Sequence, residues 1–202
     1  MTEVWRHNSH YHGVLLKAMP PNCASALDIG CGSGSLARKL AARCPDVTGI
    51  DRSAEMIRQA TEAGGGARYV QSDLEDWTGG PYDFVTSVLM IHHMDFETGL
   101  RAHADLVRPG GTLAVLGLAA EELPRDLPRA LAAIPASFAL NWIKNGSHRY
   151  PPDPPGMPMK DPDHTWSQVR ALTHRVLPGA VYRRHLMWRY SITFTKVAET
   201  RV

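Results

Sequence analysis

From about residue 24 to residue 118, the chain alternates short apolar runs with amphipathic segments. This alternation is typical of strands and crossover helices in a parallel sheet. Because such crossovers are right-handed, we expect an open, doubly wound α/β sheet with a ligand crevice at the carboxyl ends of its strands. The runs that predict strands are ASALDIG, VTGID, ARYVQSD, YDFVTSV and GGTLAVLGL.

Several segments outside these runs have helical spacing. LARKLAARC follows the first run, and SAEMIRQATEAGG opens at a serine cap and stops at glycines. ETGLRAHADLVRPGG predicts a helix that ends at Pro109 and a glycine pair. Upstream of the first strand, SHYHGVLLKAMPPN predicts one amphipathic helix that is stopped by two prolines.

The pattern changes after residue 118. Residues 121–163 carry many prolines and do not continue the sheet, so they predict a cover or lid. TWSQVRALTHRVLPGA then predicts a helix, and the alternating run AVYRRHLMWRYSITFTKV predicts two antiparallel strands. The expected organisation is a single domain with a cover helix at 1–22, a cofactor-binding core at 23–118, a lid at 119–165, and a final helix and hairpin at 166–202.

Composition narrows the class of protein. A chain of 202 residues that is 44% hydrophobic can form one ordinary core. Three cysteines without CxxC spacing predict neither a disulfide framework nor a zinc site, and they favour a reducing, cytoplasmic location. The first residues lack a secretory pattern and no apolar run is long enough to cross a bilayer, so no membrane partner is expected.

Charge adds little to this picture. The formal net charge of +2 does not indicate a polyanionic partner. The densest basic patch alternates with apolar residues, which predicts the solvated face of a strand, with an anion site as the alternative. The residues of this patch are Arg183, Arg184, His185 and Arg189.

A glycine-rich turn follows the first predicted strand. Asp28, Gly30, Gly32 and Gly34 form D-x-G-x-G-x-G there. Glycines allow backbone angles and a close ligand approach that a Cβ would block. The alternative is the dinucleotide fingerprint G-x-G-x-x-G, but Ser35 stands where its third glycine belongs, so the turn favours S-adenosylmethionine over NAD.

Carboxylates follow the next two predicted strands. Asp51 ends the second strand, where a carboxylate can accept both hydroxyls of a ribose. The alternative for Asp51 is a cap of the helix that begins near Ser53. Asp73 follows the third strand, where its carboxylate and the backbone of Leu74 can meet the edge of an adenine; the alternative is a solvated acidic loop.

In order and spacing, several segments resemble the class I S-adenosylmethionine-dependent methyltransferases. They are ALDIGCGSG, GIDRS, QSDLEDW, YDFVTSVLMIHHM and LVRPGGTLAVLGL, and HLMWRYSITFTK is similar to the final antiparallel hairpin of that family. The resemblance implies a Rossmann-like, mostly parallel seven-stranded sheet with its last strand antiparallel. It also implies S-adenosylmethionine as the cofactor and is compatible with a homodimer.

The resemblance further implies a set of cofactor-binding residues. They are Tyr11 on the covering N-terminal helix, Asp28, Gly30, Gly32, Asp51, Arg52, Met56, Asp73 and Leu74. In this set Asp28 and Gly30 face the methionine moiety, and Gly32 allows the close backbone approach. Arg52 and Met56 surround the adenine.

The candidate catalytic residues are His92 and His93. Methyl transfer from a sulfonium is an in-line displacement, so the protein mainly aligns a nucleophile and excludes water. A base is needed only when the accepting atom must lose a proton. MIHHM follows the fourth predicted strand at the mouth of the crevice, so one of these histidines is a candidate general base with a pKa near neutrality. The alternative is that they position the cofactor or fill the mouth.

The expected acceptor is a small molecule. The chain has no appended recognition domain and no Asn-Pro-Pro-Tyr motif of the nucleic-acid amino methyltransferases, so no nucleic-acid partner is expected. An NAD(P)-dependent oxidoreductase and a catalytically silent S-adenosylmethionine-binding subunit are the alternatives. The histidines lack cysteines or carboxylates at ligand spacing, so no metal site is expected. Candidates for contact with the acceptor, or for simple packing of the lid, are Asn141, Trp142, Tyr150 and His164.

Overall fold

A computed structural model of the protein describes residues 7–147, 149 and 160–198. The helices are α1 (His7–His10), α2 (His12–Ala18), α3 (Ser35–Ala41), α4 (Ala54–Ala63), α5 (Phe96–Asp105), α6 (Leu127–Asn145) and α7 (Trp166–Val176). The strands are β1 (Ser25–Ile29), β2 (Asp46–Asp51), β3 (Arg68–Gln71), β4 (Tyr82–Val88), β5 (Val107–Leu118), β6 (Val181–Arg184) and β7 (Arg189–Thr195).

In the described residues these strands form one seven-stranded sheet in the order β3-β2-β1-β4-β5-β7-β6. The pairs among β1 to β5 are parallel, and β7 runs antiparallel between β5 and β6. The predicted Rossmann-like sheet with an antiparallel last strand is therefore confirmed. The chain moves outward from β1 to β3 and then crosses to β4 on the other side of β1. A ligand crevice is expected at that reversal, at the carboxyl ends of β1 and β4.

Both faces of the sheet are buried, because successive side chains of a strand point to opposite faces. Leu27 and Ile29 of β1 belong to the core on the side of α5 and α7, whereas Ala26 belongs to the core on the side of α2 and α3. This packing explains why the strands are continuous apolar runs rather than alternating ones. It fixes the carboxyl edge of the sheet between two rigid helical layers.

The structure departs from the predicted helices at two places. Helix α5 ends at Asp105, and Pro109 lies within β5, where the pairing with β4 is irregular between Tyr82 and Phe84. A proline can occupy such an irregular position because it has no N–H to donate to the ladder. The single N-terminal helix is divided into α1 and α2 by a turn at Tyr11.

The predicted lid contains a long helix that the sequence pattern did not indicate. Pro128 lies in the first turn of α6. A backbone N–H at this position would have no partner within the helix, so its absence in proline costs no helical hydrogen bond. The helix also includes Pro135. Within the described part of the chain, none of the helices is both long and apolar enough to span a bilayer.

The prediction that the basic patch is a solvated strand face is wrong for two of its members. Arg184 pairs with Asp126 at 2.8 Å, and its guanidinium lies 4.2 Å from the ring centroid of Trp166. Arg189 is 8% exposed and donates to the backbone carbonyl of Met187 at 2.6 Å. These contacts attach the residues before α6 to β6 and the hairpin.

Candidate functional site

The predicted cofactor residues converge on the carboxyl edge of the sheet. In the parallel register Ile29 lies opposite Ile50 and Ser87, and Asp51 lies opposite Gln71. The segments that follow β1, β2, β3 and β4 therefore emerge side by side. These segments are the glycine turn, the loop at Asp51, the loop at Asp73 and a short 3-10 helix with both candidate histidines.

Asp28 is a buried carboxylate with an unpartnered oxygen. It is 2% exposed, and its Oδ2 accepts no hydrogen bond within the described part of the chain. Burial raises the pKa of Asp28 to about 8; the Ala37 backbone N–H opposes this shift, and the charge of Asp51 adds to it. A cationic ligand group beside Oδ2 would restore the charged form. The site therefore fits the amino group of a methionine moiety.

The glycine turn that follows this carboxylate leaves open space at Gly32. Gly32 has φ +52°, and a Cβ built on it would meet no atom within 4 Å. Gly30 has φ +67°, and its Cβ would lie 2.8 Å from Cγ of Met90 at the end of β4. Side chains would be strained at both positions. The turn thus forms a cradle that a ligand can approach closely at Gly32.

Asp51 links the glycine turn to the start of α4. Its Oδ2 accepts the Gly32 N–H and its Oδ1 accepts the Ser53 N–H, each at 2.9 Å. The cap of α4 is Ser53, whose Oγ accepts the Met56 N–H at 3.3 Å, so the alternative in which Asp51 caps this helix is wrong. Each oxygen of Asp51 has a second lone pair that can accept a ribose hydroxyl.

The predicted adenine residues lie farther along the same edge. Asp73 Oδ1 accepts the Leu74 N–H at 2.7 Å, so the two groups expected at the adenine edge are in contact with each other. Met56 belongs to α4 and its side chain is buried, whereas Arg52 is exposed on the turn before this helix. The charge of Arg52 contributes to lowering the pKa of His93, which places Arg52 on the histidine side of the crevice.

Tyr11 lies apart from this group, against the hairpin between β6 and β7. Its hydroxyl donates to the backbone carbonyl of Leu186 at 2.5 Å, and its ring centroid is 5.2 Å from that of His185. Burial raises the pKa of Tyr11, and the nearby charge of Arg189 opposes the shift. These contacts attach the N-terminal helices to the hairpin. A contact between Tyr11 and the cofactor stays a prediction.

The two candidate catalytic histidines stack on each other directly after β4. They belong to the 3-10 helix Ile91–His93, and their ring centroids are 4.3 Å apart. Burial lowers the pKa of His92 to about 4, and the positive charges of His93 and Lys160 add to this effect. Burial also lowers the pKa of His93. The expectation of a pKa near neutrality is therefore wrong for His92, which is uncharged at neutral pH.

One ring nitrogen of His92 has no hydrogen-bond partner. Nδ1 is buried and is without a partner within the described residues. The backbone of Lys160 and the charge of Asp163 partly oppose the effect of burial on the pKa of His92. In the neutral tautomer that carries its proton on Nε2, Nδ1 has a lone pair that can accept a proton.

The end of the predicted lid returns to this histidine pair. Lys160 and Asp163 form an ion pair at 2.6 Å, and both act on the pKa of His92. The sequence pattern did not indicate them, because charged residues among prolines form no motif. The ring of His164 lies 5.7 Å from that of Phe96 at the start of α5. In the described residues, no group of three or more histidine, cysteine or acidic side chains is arranged to hold a metal ion.

The other candidates for acceptor contact have different surroundings. Asn141 is completely buried, and its side-chain amide donates to the carbonyls of Ser147 at 2.6 Å and Arg149 at 3.2 Å. It therefore closes the end of α6. Trp142 is 50% exposed on the same helix. Tyr150 lies outside the described residues.

Comparisons with known sequences find methyltransferases. The methyltransferase domain family matches residues 27–115. An uncharacterized methyltransferase from Mycobacterium bovis is 32% identical over 199 residues, which cover 96% of this chain and 98% of that protein. A ubiquinone biosynthesis O-methyltransferase from Pectobacterium atrosepticum is 35% identical over 131 residues, which are 60% of this chain and 52% of that protein.

A comparison with solved structures finds the same fold. The magnesium protoporphyrin IX methyltransferase of Synechocystis PCC 6803, solved with bound SAH, aligns with a TM-score of 0.60 at 17% sequence identity. The alignment covers 93% of this chain and 80% of that one. The match to a methyltransferase over nearly the whole chain, the domain match and the seven-stranded sheet all indicate the same family. The chain belongs to the class I S-adenosylmethionine-dependent methyltransferase family.

Proposed function

We propose that this methyltransferase binds S-adenosylmethionine at the carboxyl edge of the sheet and methylates a small molecule in the cytoplasm. The observation that carries the proposal is the buried, unpartnered oxygen of Asp28 together with the open cradle at Gly32, four residues later in the chain. Asp28 binds the amino group of the methionine moiety, and Asp51 accepts the ribose hydroxyls. The binding of SAH by the structural relative from Synechocystis supports this proposal.

The reaction is an in-line methyl transfer. When bound, S-adenosylmethionine would supply a methyl group to the attacking acceptor atom, and S-adenosylhomocysteine would leave as the neutral thioether when the bond between sulfur and the methyl group breaks. His92 takes the proton of the acceptor at Nδ1, which has no partner among the described residues. His93 packs against that ring and keeps its orientation. Residues 119–147 and 160–165 of the predicted lid are expected to cover the acceptor and exclude water.

Titration calorimetry is expected to show binding of S-adenosylmethionine and S-adenosylhomocysteine, and no binding of NAD or NADP. The cradle at Gly32 and the carboxylates at positions 28, 51 and 73 match the former ligands as a set. Turnover is then measured as release of S-adenosylhomocysteine with a panel of small acceptors. Hydroxyl compounds come first, since the relative from Pectobacterium is an O-methyltransferase.

Two results of this experiment would contradict the proposal in different ways. Binding of NAD without any response to S-adenosylmethionine would support an oxidoreductase. Binding of S-adenosylmethionine without turnover on any acceptor would support a catalytically silent subunit.

The Asp51→Ala variant is expected to bind S-adenosylmethionine roughly 10- to 150-fold more weakly. This fold-change corresponds to the net loss of one charge-assisted hydrogen bond, about 1.5 to 3 kcal/mol. The substitution also releases the Gly32 N–H from its carboxylate partner, which loosens the cradle. Calorimetric titration gives the affinity, and a thermal melt gives the stability.

The matched control for Asp51 is Asp76→Ala, because Asp76 is an exposed acid near the same edge. This control is expected to keep the affinity of the parent chain. A drop in melting temperature for Asp51→Ala with unchanged affinity would show that the carboxylate of Asp51 only holds the turn in place.

A further inference from the structure

Two of the three cysteines lie in direct contact in the core. All three cysteines of the chain are free and buried. Cys23 and Cys44 are 5% and 2% exposed, and their sulfur atoms are 3.3 Å apart. The two residues are 21 positions apart in the sequence, so no short spacing between cysteines indicates the pair. The fold therefore creates a dithiol that the sequence pattern does not report.

The backbone holds the two thiols beside each other. Cys23 precedes β1 and Cys44 precedes β2. Each stands two residues before a member of the register pair Ser25 and Asp46. Directly after the cysteines, the Asp46 N–H donates to the Ala24 carbonyl at 3.3 Å. Neighbouring strands lie about 4.8 Å apart, which is within the range of about 4.4 to 6.8 Å between Cα atoms that a disulfide needs.

A small movement of the side chains joins the two sulfur atoms. A disulfide bond is about 2.0 Å long, so the sulfurs must approach each other by about 1.3 Å. Rotation about the Cα–Cβ bonds can supply a shift of this size. The thiols give up only weak hydrogen bonds, since Cys23 Sγ lies 3.4 Å from the Ser25 carbonyl oxygen and Cys44 Sγ lies 3.5 Å from that of Asp46.

Cys31 lies outside this arrangement. It follows β1 in the glycine turn, so it is at the opposite edge of the sheet from the pair. Its sulfur lies 3.7 Å from the Gly32 carbonyl oxygen. At 8% exposure Cys31 is nearly as buried as the pair, but neither of the other two thiols contacts it. Cys31 therefore serves as an internal reference for a buried thiol that is not in contact with a second one.

We propose that Cys23 and Cys44 are a reversible oxidation site, which forms a disulfide when the protein meets hydrogen peroxide. The Cys23 thiolate attacks one peroxide oxygen, the O–O bond breaks, and hydroxide leaves and takes up the thiol proton as water. The Cys44 thiol then attacks the sulfenic sulfur of Cys23, and the S–O bond breaks with loss of a second water. The two thiols thereby lose two electrons, which reduce one peroxide molecule. This inference goes beyond methyl transfer and does not depend on it.

Burial makes this site slow to react. It raises the pKa of Cys23 to about 12, and the neighbouring Cys44 thiol and the charge of Asp83, which is paired with Arg108, add to the shift. Cys23 reacts first, because it is the more exposed thiol and follows the exposed residues 21–22. The pair therefore stays reduced until peroxide is abundant. The disulfide then protects both sulfurs from irreversible oxidation.

The disulfide closes a loop around the cofactor cradle. Residues 23–44 contain β1, the glycine turn and α3. A cross-link over this length restricts the unfolded chain and is expected to raise Tm by about 5 to 10 °C. The pair lies at the amino edge of β1, whereas the cradle lies at the carboxyl edge. The affinity for S-adenosylhomocysteine is therefore expected to stay the same after oxidation.

Thiol counting on the full chain tests this proposal. The chain is treated with hydrogen peroxide at about pH 8.5, near the ordinary pKa of a cysteine thiol, then unfolded and titrated with a chromogenic thiol reagent. The number of free thiols is expected to fall from three to one and to return to three after reduction with a phosphine. Tm of the oxidised chain is measured before and after the same reduction.

Peptide mapping assigns the bond. Trypsin cuts after lysine and arginine, so it leaves Cys44 in residues 44–52 and both Cys23 and Cys31 in residues 18–38. The map is therefore made on the Cys31→Ala variant, in which a link between these two peptides can join only Cys23 and Cys44. The linked peptides are expected to disappear after reduction.

Cys44→Ala is the matched control, since it keeps Cys23 and removes the thiol that resolves its sulfenic acid. It is expected to show no linked peptides and no gain in Tm on oxidation. Circular dichroism of the untreated variants reports whether each is folded. The thiol count of the parent chain needs no variant, so the proposal stays testable if Cys44→Ala does not fold.

Two results overturn the inference. The first is a parent chain that keeps three free thiols after peroxide has oxidised its methionines, because the reagent has then acted without forming the bond. The second is a reversible loss of two thiols that is the same in Cys44→Ala as in the parent chain, since the bond then joins other sulfurs. Neither readout uses methyl transfer, so the test is independent of the proposed function.

Discussion

The His92→Gln variant is expected to lower kcat by roughly 10²- to 10⁴-fold with little change in affinity for S-adenosylmethionine. Glutamine keeps a polar side chain of similar size but has no basic nitrogen in place of Nδ1. The change therefore acts on the transition state and leaves the bound cofactor in place. Steady-state kinetics with an accepted substrate measure kcat, and calorimetry measures the affinity.

The pH profile gives an independent test of this role. The lowered pKa of His92 means that the neutral, proton-accepting ring predominates above about pH 4. The rate of the parent enzyme is therefore expected to be flat near neutrality and to fall as the pH drops through about 4. It is not expected to fall near the ordinary histidine pKa of about 6.5. In His92→Gln this acidic limb is expected to disappear.

His93→Gln is the matched control, since it changes the stacked neighbour and keeps Nδ1 of His92. Its effect on kcat is expected to be modest, with the acidic limb retained. Full kcat and an unchanged limb in both single variants and in the double variant would remove the histidines from the mechanism. Alignment of an already nucleophilic acceptor would then account for catalysis.

The Asp28→Asn variant is expected to stabilise the ligand-free protein and to weaken cofactor binding at the same time. Asparagine removes a buried carboxylate with an unpartnered oxygen. At pH 8 this change is expected to raise the free energy of unfolding by about 2 kcal/mol, and therefore to raise Tm by about 4 to 8 °C. The same change removes the charged partner of the methionine amino group. Affinity for S-adenosylmethionine is expected to fall roughly 10- to 150-fold.

The size of this effect depends on pH. The folded chain holds the Asp28 proton up to about pH 8, while an unfolded aspartate ionises near its ordinary pKa of 3.8. Between these values the folded state binds more protons, so the stability of the parent protein falls as the pH rises. The gain in Tm for Asp28→Asn is therefore expected to be absent near pH 4 and largest at pH 8. A gain that does not vary over this range would contradict the raised pKa.

Asp83→Asn is the matched control for this variant. Asp83 is also buried, at 3% exposure, but it accepts the backbone N–H groups of Ala24 and Ser25 and pairs with Arg108. Its replacement is expected to lower Tm, because a satisfied carboxylate is lost. The affinity for the cofactor is expected to stay the same, since Asp83 lies at the opposite edge of the sheet.

The sequence predicted the sheet and the cofactor edge because both are encoded locally. Each core strand is a short apolar run, and the parallel register brings the residue that ends one run beside the residue that ends the next. Asp28, Asp51 and Asp73 therefore converge without any long-range information. The glycine turn was predictable for the same reason, because positive φ angles at Gly30 and Gly32 favour glycine.

The lid and the titration of the histidines were not predictable in this way. The sequence pattern did not predict α6, because the prolines at 128 and 135 normally indicate the end of a helix. In the structure both prolines lie within α6. The pKa of His92 depends on burial and on Lys160, which is distant in the sequence. The contacts of Tyr11 with Leu186 and His185 likewise join opposite ends of the chain. No local pattern reports such pairings.

The position of β7 has a consequence for synthesis on the ribosome. β7 follows the other six described strands in the chain, yet it lies inside the sheet, between β5 and β6. Until residue 195 has been translated, β5 has an unpaired backbone edge that is prone to join other chains. The hairpin that holds Arg184 against Asp126 is also absent until then. The nascent chain thus completes the carboxyl edge of β1 to β4 early, while its lid gains an anchor only after β7 has been made.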